Sequence, residues 1–413
     1  MSFLISFKKS VSTSKYIFGY QLAERIFYFG FFLLMARTLT AEIFGEFTAV
    51  FTFANVIYVF FDFGLSIHLQ KKIAEKKHNS SKIITEALWF FIIISILYLF
   101  LSLFIISKFY PKTDLFFIII VVFSIILLAC TSSLSAIFLA HQRYKDILGS
   151  IILTRPLIIL LILFLIIIKL IQIEYFIEIW LIGIVFQIII LVWNLKNLNL
   201  DFKIVPTSFK NVFLFVTTIV PLGGAVIFNY LYDKIDVLLI SKILDFSQVA
   251  YYTIPYGIYK SSSLAFNFLL ISGLNRISSV SRRNSAVWLF FKLYSRLLLI
   301  ITLPLSFFLY LFSDKILMFL YGNEYLQSTI ILKILSVGLV GMSFNNLTGI
   351  ILNGMGKYKI NMYIAISAFM INITINYLLL PYYGIVASAL ITVIIEYYIF
   401  FGGLTNILKL IRN

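Results

Sequence analysis

The amino-acid sequence predicts an all-α integral membrane protein of about twelve transmembrane helices. Of its 413 residues, 62% are hydrophobic and only 12% are charged, whereas an average soluble domain carries about 25% charged residues. Residues 83–107 and 115–140 are near-continuous apolar runs, each longer than the roughly 20 residues that span a bilayer. These runs do not alternate between polar and apolar residues, as the strands of a membrane β-barrel would.

Each predicted span is an apolar run bounded by charged, polar or aromatic residues. In chain order the spans are 16–37, 47–69, 83–107, 114–140, 147–168, 174–195, 211–241, 250–273, 290–312, 329–355, 360–380 and 385–408. The seventh span is too long for one straight crossing. We expect it to tilt, to bend at Pro221-Leu222-Gly223-Gly224, or to extend beyond the bilayer.

Lysine and arginine are distributed unequally between the two ends of these spans. One side holds most of the loop cations, including Lys71, Lys72, Lys76, Lys77 and Lys82, and the other holds only Arg37, Lys108, Lys112, Lys169, Lys242 and Lys315. Because short basic loops stay in the cytoplasm, both termini are predicted to be cytoplasmic. The net charge of +16 therefore indicates topology and attraction to anionic lipid. It does not indicate nucleic-acid binding, since no soluble basic domain carries it.

The loops and the rare reactive side chains exclude several functions. No loop is long enough for an extramembrane domain, and no Walker-type phosphate loop is present. The histidines His68, His78 and His141 do not cluster, and Cys130 is the single cysteine, so we predict no metal, cofactor or internal disulfide. We expect a protein that works within the bilayer and is not an enzyme.

The two halves of the chain resemble each other. A shift of about 205 positions places residues 33–51 over 238–256, with matching leucines and with Arg37 over Lys242. Further on, Arg143-Tyr144-Lys145 corresponds to Lys357-Tyr358-Lys359 at a shift about nine residues larger. This difference predicts an insertion around Ser313–Ser328.

An internal repeat of six spans gives two halves of parallel topology. We predict two pseudo-symmetric six-helix lobes, residues 1–200 and 201–413, related by an axis along the membrane normal. Two such lobes with a cleft between them form an alternating-access architecture, in which a substrate binds near the middle of the bilayer.

Few ionisable residues lie at membrane depth. Each costs about 2.5–3.5 kcal/mol at a helix centre, so it faces a partner or water. Glu24 and Arg25 lie on the first span, and Asp233, Lys234 and Asp236 lie on the seventh, its counterpart in the repeat. We expect these two helices to line the cleft.

Two groups of candidate site residues follow from these positions. The predicted anion-binding residues are Arg25 and Lys234, with Lys260 as a third, and the predicted coupling or supporting carboxylates are Glu24, Asp62, Asp233 and Asp236. Structural ion pairs between helices remain the alternative for each of them, and for the aspartates of the seventh span so does a position in water at its outer end. For Arg155, Arg296 and Lys333 we expect the side chain to snorkel to an interface.

Several motifs along the chain resemble those of the polysaccharide flippases of the multidrug, oligosaccharidyl-lipid and polysaccharide exporter superfamily. These are Arg37-Thr38-Leu39, Gly45-Glu46-Phe47, Asp62-Phe63-Gly64, Tyr321-Gly322-Asn323-Glu324-Tyr325, the pair Asn372 and Asn376, and Pro381-Tyr382-Tyr383-Gly384-Ile385. Thr40 stands where the family usually has glycine. The resemblance covers nearly the whole chain, and the O-antigen repeat-unit translocases are the most similar members.

The resemblance implies translocation of a polyprenyl-diphosphate-linked oligosaccharide across the bacterial inner membrane, from the cytoplasmic to the outer leaflet. Basic residues would hold the diphosphate, and Asn229, Tyr230, Tyr232 and Asn267 are candidate neighbours of the sugars. The family also implies coupling to a proton or sodium ion, contact with membrane lipid, and partnership with other polysaccharide-assembly proteins.

Three other functions remain open at this point. An exporter of cationic drugs would share the fold but should favour unpaired acids in its cleft, whereas here basic residues accompany the acids. A flippase of lipid II or of teichoic-acid precursors is barely separable by sequence. A membrane glycan polymerase is disfavoured, because the longest outer loop, Ser313–Ser328, contains only Asp314, Lys315 and Glu324 as charged residues.

Overall fold

The fold is helical throughout the part of the chain that the computed structural model describes, which comprises residues 2–75, 80–198, 209–267, 269–270 and 284–412. Eight helical stretches within these residues are long and apolar enough to cross a membrane. The last of them contains 55 residues, enough for two crossings. An all-α, multi-pass membrane fold is therefore confirmed. Lys76, Lys77, His78 and the end of the predicted eighth span at 271–273 lie outside the described residues.

The helices are numbered in chain order. The first seven are α1 (Ser2–Thr38), α2 (Ala41–Asp62), α3 (Leu65–Glu75), α4 (Ser80–Phe109), α5 (Leu115–Ala140), α6 (Tyr144–Ile167) and α7 (Ile173–Leu195). They are followed by α8 (Phe209–Ile243), α9 (Phe246–Ser262), α10 (Asn284–Leu311), α11 (Ser313–Tyr321), α12 (Thr329–Gly354) and α13 (Tyr358–Arg412). Short 3-10 helices cover Lys196–Leu198 and Asn323–Ser328.

The helix boundaries reproduce the internal repeat. A shift of 205 residues takes the end of α1 to the end of α8, and the start of α2 to the start of α9. A shift of 214 residues takes both ends of α5 to both ends of α12. The extra residues lie between α10 and α12, where the sequence predicts the insertion.

The inserted segment is helical, although the sequence analysis treats Ser313–Ser328 as a loop. Helix α11 and the 3-10 turn after it bury Leu317, Tyr321 and Tyr325, while Asp314 and Lys315 remain exposed. A segment with one apolar face and one charged face is stable as a helix at the surface of a bundle. Leu317 and Tyr321, one helical turn apart, mark the buried side of α11, and Tyr325 lies in the 3-10 turn after Gly322.

Three predicted spans differ in detail from the helices. The predicted span 47–69 is divided between α2 and α3, because Phe63 and Gly64 have φ values of 46° and 75°, which end an α-helix. Helix α8 is helical without interruption through Pro221, and its 35 residues extend over about 52 Å. Helix α13 is broken at Gly384, whose φ of 58° and ψ of −152° are accessible essentially only to glycine.

The chain divides into two compact units. The N-terminal unit comprises Met1–Leu39 and Phe53–Val226, and the C-terminal unit comprises Thr40–Thr52 and Ile227–Asn413. In the N-terminal unit, α3, α4 and α5 enclose a core that includes Leu69, Phe90 and Ile137. In the C-terminal unit, the two halves of α13 pack Ala368 against Ala387 and Ile391. The six-plus-six division into lobes remains a prediction.

The first turns of α2 are built into the C-terminal unit by two of the motifs. The backbone N–H of Ala41 donates a hydrogen bond of 3.0 Å to the Glu324 carboxylate, which satisfies one of the free donors at the start of a helix. Gly45 lies against α9, where an added β-carbon would overlap the backbone carbonyl oxygen of Phe246. Glycine at position 45 is therefore required for close helix packing.

Replacing Gly45 by alanine is expected to lower the free energy of unfolding by about 1–3 kcal/mol, the usual cost of overpacking. The helix propensity of alanine, worth about 1 kcal/mol over glycine, offsets part of this cost. Gly257→Ala is the matched control, because no heavy atom lies within 4 Å of a β-carbon there. Thermal unfolding in detergent should show a lower midpoint for Gly45→Ala and an equal or higher one for Gly257→Ala. Equal midpoints for Gly45→Ala and the unsubstituted protein would contradict the packing argument.

Candidate functional site

A chain of alternating charges crosses the interior of the C-terminal unit. Its centre is Asp233 on α8, whose carboxylate oxygens lie 2.9 Å from the Lys234 ammonium and 2.6 Å from that of Lys260 on α9. Lys260 also lies 3.5 Å from the carboxylate of Glu396 on α13. The two cations and two anions balance, which makes their placement inside an apolar helix bundle possible.

The end of the charge chain at Glu396 is fully enclosed. The Glu396 side chain is 2% exposed, and it accepts a 2.7 Å hydrogen bond from the side-chain amide of Asn345 on α12. Both lysines keep 29% of their side-chain surface accessible. Within this chain of four charges, Lys234 and Lys260 are therefore the cations that an incoming anion can reach.

Aromatic side chains surround the two lysines. The Lys234 and Lys260 ammonium groups lie 5.5 and 5.4 Å from the ring centre of Tyr256, within the range of a cation–π interaction. The Tyr256 hydroxyl donates a 2.6 Å hydrogen bond to Asp233. The Tyr256 side chain therefore contacts both ammonium groups through its ring and their shared carboxylate through its hydroxyl.

A second carboxylate of α8, Asp236, is 2% exposed and occupies a separate network. It accepts hydrogen bonds from the Tyr252 hydroxyl at 2.7 Å, the Thr392 hydroxyl at 3.0 Å and the Asn376 amide at 3.1 Å. No lysine or arginine of the described residues forms an ion pair with it. A buried carboxylate with neutral neighbours has lost its hydration without gaining a counter-charge.

The Asp236 network extends along the last hairpin, α13. The Asn376 amide also contacts the side-chain oxygen of Asn372, and the Ser388 hydroxyl donates to the Asn376 oxygen at 2.6 Å. Two hydroxyl groups and one amide N–H thus surround one buried carboxylate, and the amide and hydroxyl oxygens of the network lie just behind them. Oxygen-rich surroundings of this kind suit a proton or a small hard cation.

The N-terminal unit contains a different buried charge, Arg155 on α6. Its side chain is 4% exposed, and one of its terminal nitrogens lies 3.7 Å from the Glu24 carboxylate on α1. The guanidinium lies 4.7 Å from the ring centre of Phe27. The expectation that Arg155 snorkels is therefore wrong: the residue lies halfway along a 24-residue helix, too far from either end to reach an interface.

The hydrogen-bonding capacity of Arg155 is largely unused. Its Nε and Nη1 atoms are buried and have no hydrogen-bond partner among the described residues. Leaving a buried donor unpaired costs about 1–3 kcal/mol, and more for a charged group. The contact with Phe27 returns only about 0.5–2 kcal/mol. Arg155 therefore lacks hydrogen-bond acceptors that an additional anion could supply.

The other predicted site residues have simpler surroundings. Arg25 and Asn229 are exposed, and Tyr230 is half-buried. Arg25 belongs to the N-terminal unit and Lys234 to the C-terminal unit. The Asp62 carboxylate accepts a 3.1 Å hydrogen bond from the backbone N–H of Gly64, so it caps the break between α2 and α3.

Sequence reasoning missed several residues of these networks. Glu396 has no other charged residue near it in the sequence, and this isolation is itself a signal that it needs a partner. The aromatic residues Tyr252 and Tyr256 lie one helical turn apart on α9 and stack 5.6 Å apart. In a chain with 25 tyrosines, that spacing does not distinguish them. Thr392 carries no signal in the sequence.

Solved structures of other proteins share this fold. An inward-facing multidrug resistance MATE family transporter of the MOP superfamily superposes with a TM-score of 0.80 at 14% identity, over 94% of this chain and 96% of that chain. The lipid II flippase MurJ in an inward closed conformation superposes with a TM-score of 0.76 at 17% identity, over 96% of this chain and 87% of that chain. A MOP superfamily transporter from Pyrococcus furiosus superposes with a TM-score of 0.69 at 13% identity, over 98% of this chain and 96% of that chain. The chain therefore has the fold of MOP superfamily transporters and flippases.

The family model described as "polysaccharide biosynthesis protein" matches residues 11–274, and the chain belongs to this family. A second model, MatE, matches residues 221–378. These matches confirm the resemblance found from the motifs. An uncharacterized membrane protein of Methanocaldococcus jannaschii is 35% identical over 95 residues, which are 23% of this chain and 19% of that protein. The matched stretch thus spans about a fifth of that relative.

Proposed function

We propose that the protein is a flippase that moves a polyprenyl-diphosphate-linked oligosaccharide, an O-antigen or capsule repeat unit, from the cytoplasmic to the outer leaflet of a bacterial inner membrane. Membership of the polysaccharide biosynthesis family supports a glycan substrate. The observation that carries the proposal is the charge chain of Lys234, Asp233, Lys260 and Glu396 inside the C-terminal unit. In this proposal, both termini are cytoplasmic and access alternates between the two sides.

The diphosphate is the part of the substrate that the charge chain would recognise. Lys234 and Lys260 share Asp233, and a diphosphate offers several oxygens where this carboxylate offers two. An incoming diphosphate would therefore replace Asp233 as the partner of one or both lysines. Because the exchange swaps one anion for another, neither lysine is left unpaired in the low-dielectric interior when the substrate binds or leaves.

The sugar and lipid parts of the substrate need different surroundings. Sugars cannot cross hydrocarbon, so polar and aromatic side chains must accompany them, and Asn229 and Tyr230 lie one helical turn before the charge chain on α8. Tyr232 and Asn267 are further candidates, and the Asn267 side chain already accepts a hydrogen bond from Asn346. The isoprenoid tail can remain in lipid.

Asp236 is the residue that we assign to ion coupling. It is a buried carboxylate without a cationic partner among the described residues, and its own helix also contributes Asp233 and Lys234. A proton or a sodium ion on Asp236 would neutralise the charge of the network. Loading and release of that cation would therefore change how α8, α9 and α13 are held together.

The function is tested in a host that lacks the gene. Polyprenyl-diphosphate glycans are extracted, and complete repeat units on the cytoplasmic leaflet are quantified. We expect accumulation that the unsubstituted gene relieves and that the double substitution Arg25→Ala with Lys234→Ala does not. Arg296→Ala is the matched control, because Arg296 is an exposed arginine on α10 outside the proposed site.

Each alternative function gives a different result in the same host. Normal glycan export with altered resistance to cationic drugs would contradict the proposal and favour a drug exporter. Accumulation of lipid II or of a teichoic-acid precursor would keep the mechanism and change the substrate. Chain elongation by the purified protein would favour a glycan polymerase. Other polysaccharide-assembly proteins should co-purify with the flippase only if they act as its partners.

A further inference from the structure

A cavity of about 700 Å³ opens on the surface of the N-terminal unit between α1 and α6. Its walls include Phe27, Gly30, Leu34, Ile159 and Leu163, and among the described residues that line it Arg155 is the one with a polar side chain. The volume falls in the range of ordinary ligand sites. An apolar space of this kind does not hold water well, so we expect no hydrogen bonds from the guanidinium to water there.

The unpaired donors of Arg155 define the chemistry that would complete this cavity. Two of its nitrogens are buried without a partner among the described residues, and the third contacts Glu24 only at 3.7 Å. Phosphate and carboxylate oxygens are the acceptors that a guanidinium prefers. The walls require the rest of the ligand to be apolar. The cavity therefore fits an anionic amphiphile.

The depth of Arg155 decides which anionic amphiphile this is. Arg155 is the twelfth residue of a 24-residue helix, about 17 Å from either end. The head groups of resident phospholipids lie outside a hydrocarbon core about 30 Å thick, so their phosphates stay away from the middle of the bilayer. A phosphate that reaches Arg155 must belong to a lipid whose head group is moved through the membrane.

We infer that the α1–α6 cavity is a second binding site for the transported lipid, in which Arg155 holds the isoprenoid phosphate and the apolar walls hold the first part of the chain. This inference rests on the proposed function and extends it from the C-terminal unit to the N-terminal unit. It also assigns a role to Glu24. Its carboxylate, 38% exposed, keeps Arg155 partly compensated while the cavity is empty of lipid phosphate.

The inference is tested by binding of polyprenyl diphosphate to the purified full-length protein, measured by native mass spectrometry. Native mass spectra resolve the first and second lipid bound, and the Lys234–Lys260 site remains in every variant. We expect Arg155→Gln to weaken binding of the second polyprenyl diphosphate at least about tenfold, the value of one charge-assisted hydrogen bond, and to leave binding of the uncharged polyprenol unchanged. Gly30→Leu places a side chain in the cavity from a position where the nearest atom lies 4.0 Å from an added β-carbon, and it should weaken both ligands. Arg296→Gln should change neither.

The outcomes separate this inference from the function on which it rests. If Arg155→Gln does not fold, the binding measured for Gly30→Leu is the test. Undiminished binding of polyprenyl diphosphate by Gly30→Leu would overturn the inference. Equal binding by Arg155→Gln and the unsubstituted protein would also overturn it, while cytoplasmic accumulation of glycans in the deletion host would still support the function. Equally tight, Arg155-dependent binding of phosphatidylglycerol would identify a site for resident lipid instead and overturn it.

Discussion

Replacing Lys260 by glutamine is expected to abolish glycan translocation and to destabilise the C-terminal unit. The substitution leaves Glu396, 2% exposed, without its cation, and it removes one of the two lysines that pair with Asp233. Removing one member of a buried ion pair costs about 3–5 kcal/mol. We expect the lower end of this range, because Lys234 still neutralises Asp233 and Lys260 is partly accessible. Thermal unfolding and a reconstituted translocation assay measure the two effects.

A double substitution separates stability from transport. Lys260→Gln with Glu396→Gln removes both charges, so it should recover much of the lost stability, with a coupling energy of about 1–3 kcal/mol between the sites. Translocation should stay absent, because the proposed diphosphate ligand is still missing. Lys333→Gln is the matched control: Lys333 is a half-buried lysine on α12 that contacts the Tyr310 ring. Full transport by the double variant would show that Lys260 serves only to neutralise Glu396.

Replacing Asp236 by asparagine is expected to remove the dependence of transport on a cation gradient. Asparagine keeps the size of the side chain and one acceptor oxygen, so the hydrogen bonds from Tyr252 and Thr392 can largely persist. The negative charge that would bind a proton or sodium ion is lost. Translocation in proteoliposomes, driven in one arm by a sodium gradient and in the other by a pH gradient, measures the effect.

The cation that drives the unsubstituted protein should fail to drive Asp236→Asn. Asp236→Ala should in addition unfold at lower temperature, because Tyr252, Thr392 and Asn376 lose their shared acceptor. Each keeps a second hydrogen-bond partner, so we expect a total cost of about 1–3 kcal/mol. Asp245→Asn is the control, since Asp245 is an exposed helix cap and asparagine caps equally well. Retention of the cation dependence by Asp236→Asn would contradict the assignment.

The sequence predicts the helices well because hydrophobic length is a local property. The spans 114–140 and 329–355 agree with α5 and α12 to within one residue at each end, and the shift between them locates the insertion. The break at Gly384 falls within a predicted turn, since Pro381 and Gly384 are both local signals. The division of α2 from α3 is not predicted, because a positive φ at Phe63 depends on its surroundings and not on its own preference.

The candidate sites are only partly predictable, since charge partners can be far apart in the sequence. Asp233, Lys234 and Lys260 are recognisable as costly charges in apolar helices. Their connection to Glu396, 136 positions after Lys260, depends on how α9 and α13 pack. Arg155 is misjudged because a single arginine in a span resembles an interfacial one, and only the fold shows that it is enclosed.

The position of the partners of Asp236 along the chain has a consequence for biosynthesis. Asn376 and Thr392 follow Asp236 by 140 and 156 residues, so at about 5–20 residues per second the ribosome reaches Thr392 roughly 8–30 s after Asp236. During that interval the nascent helix holds a carboxylate that nothing in α13 yet satisfies. Insertion of the final hairpin is thus the event that completes the C-terminal unit, and a transcript that stops before Thr392 yields a chain that cellular quality control should degrade.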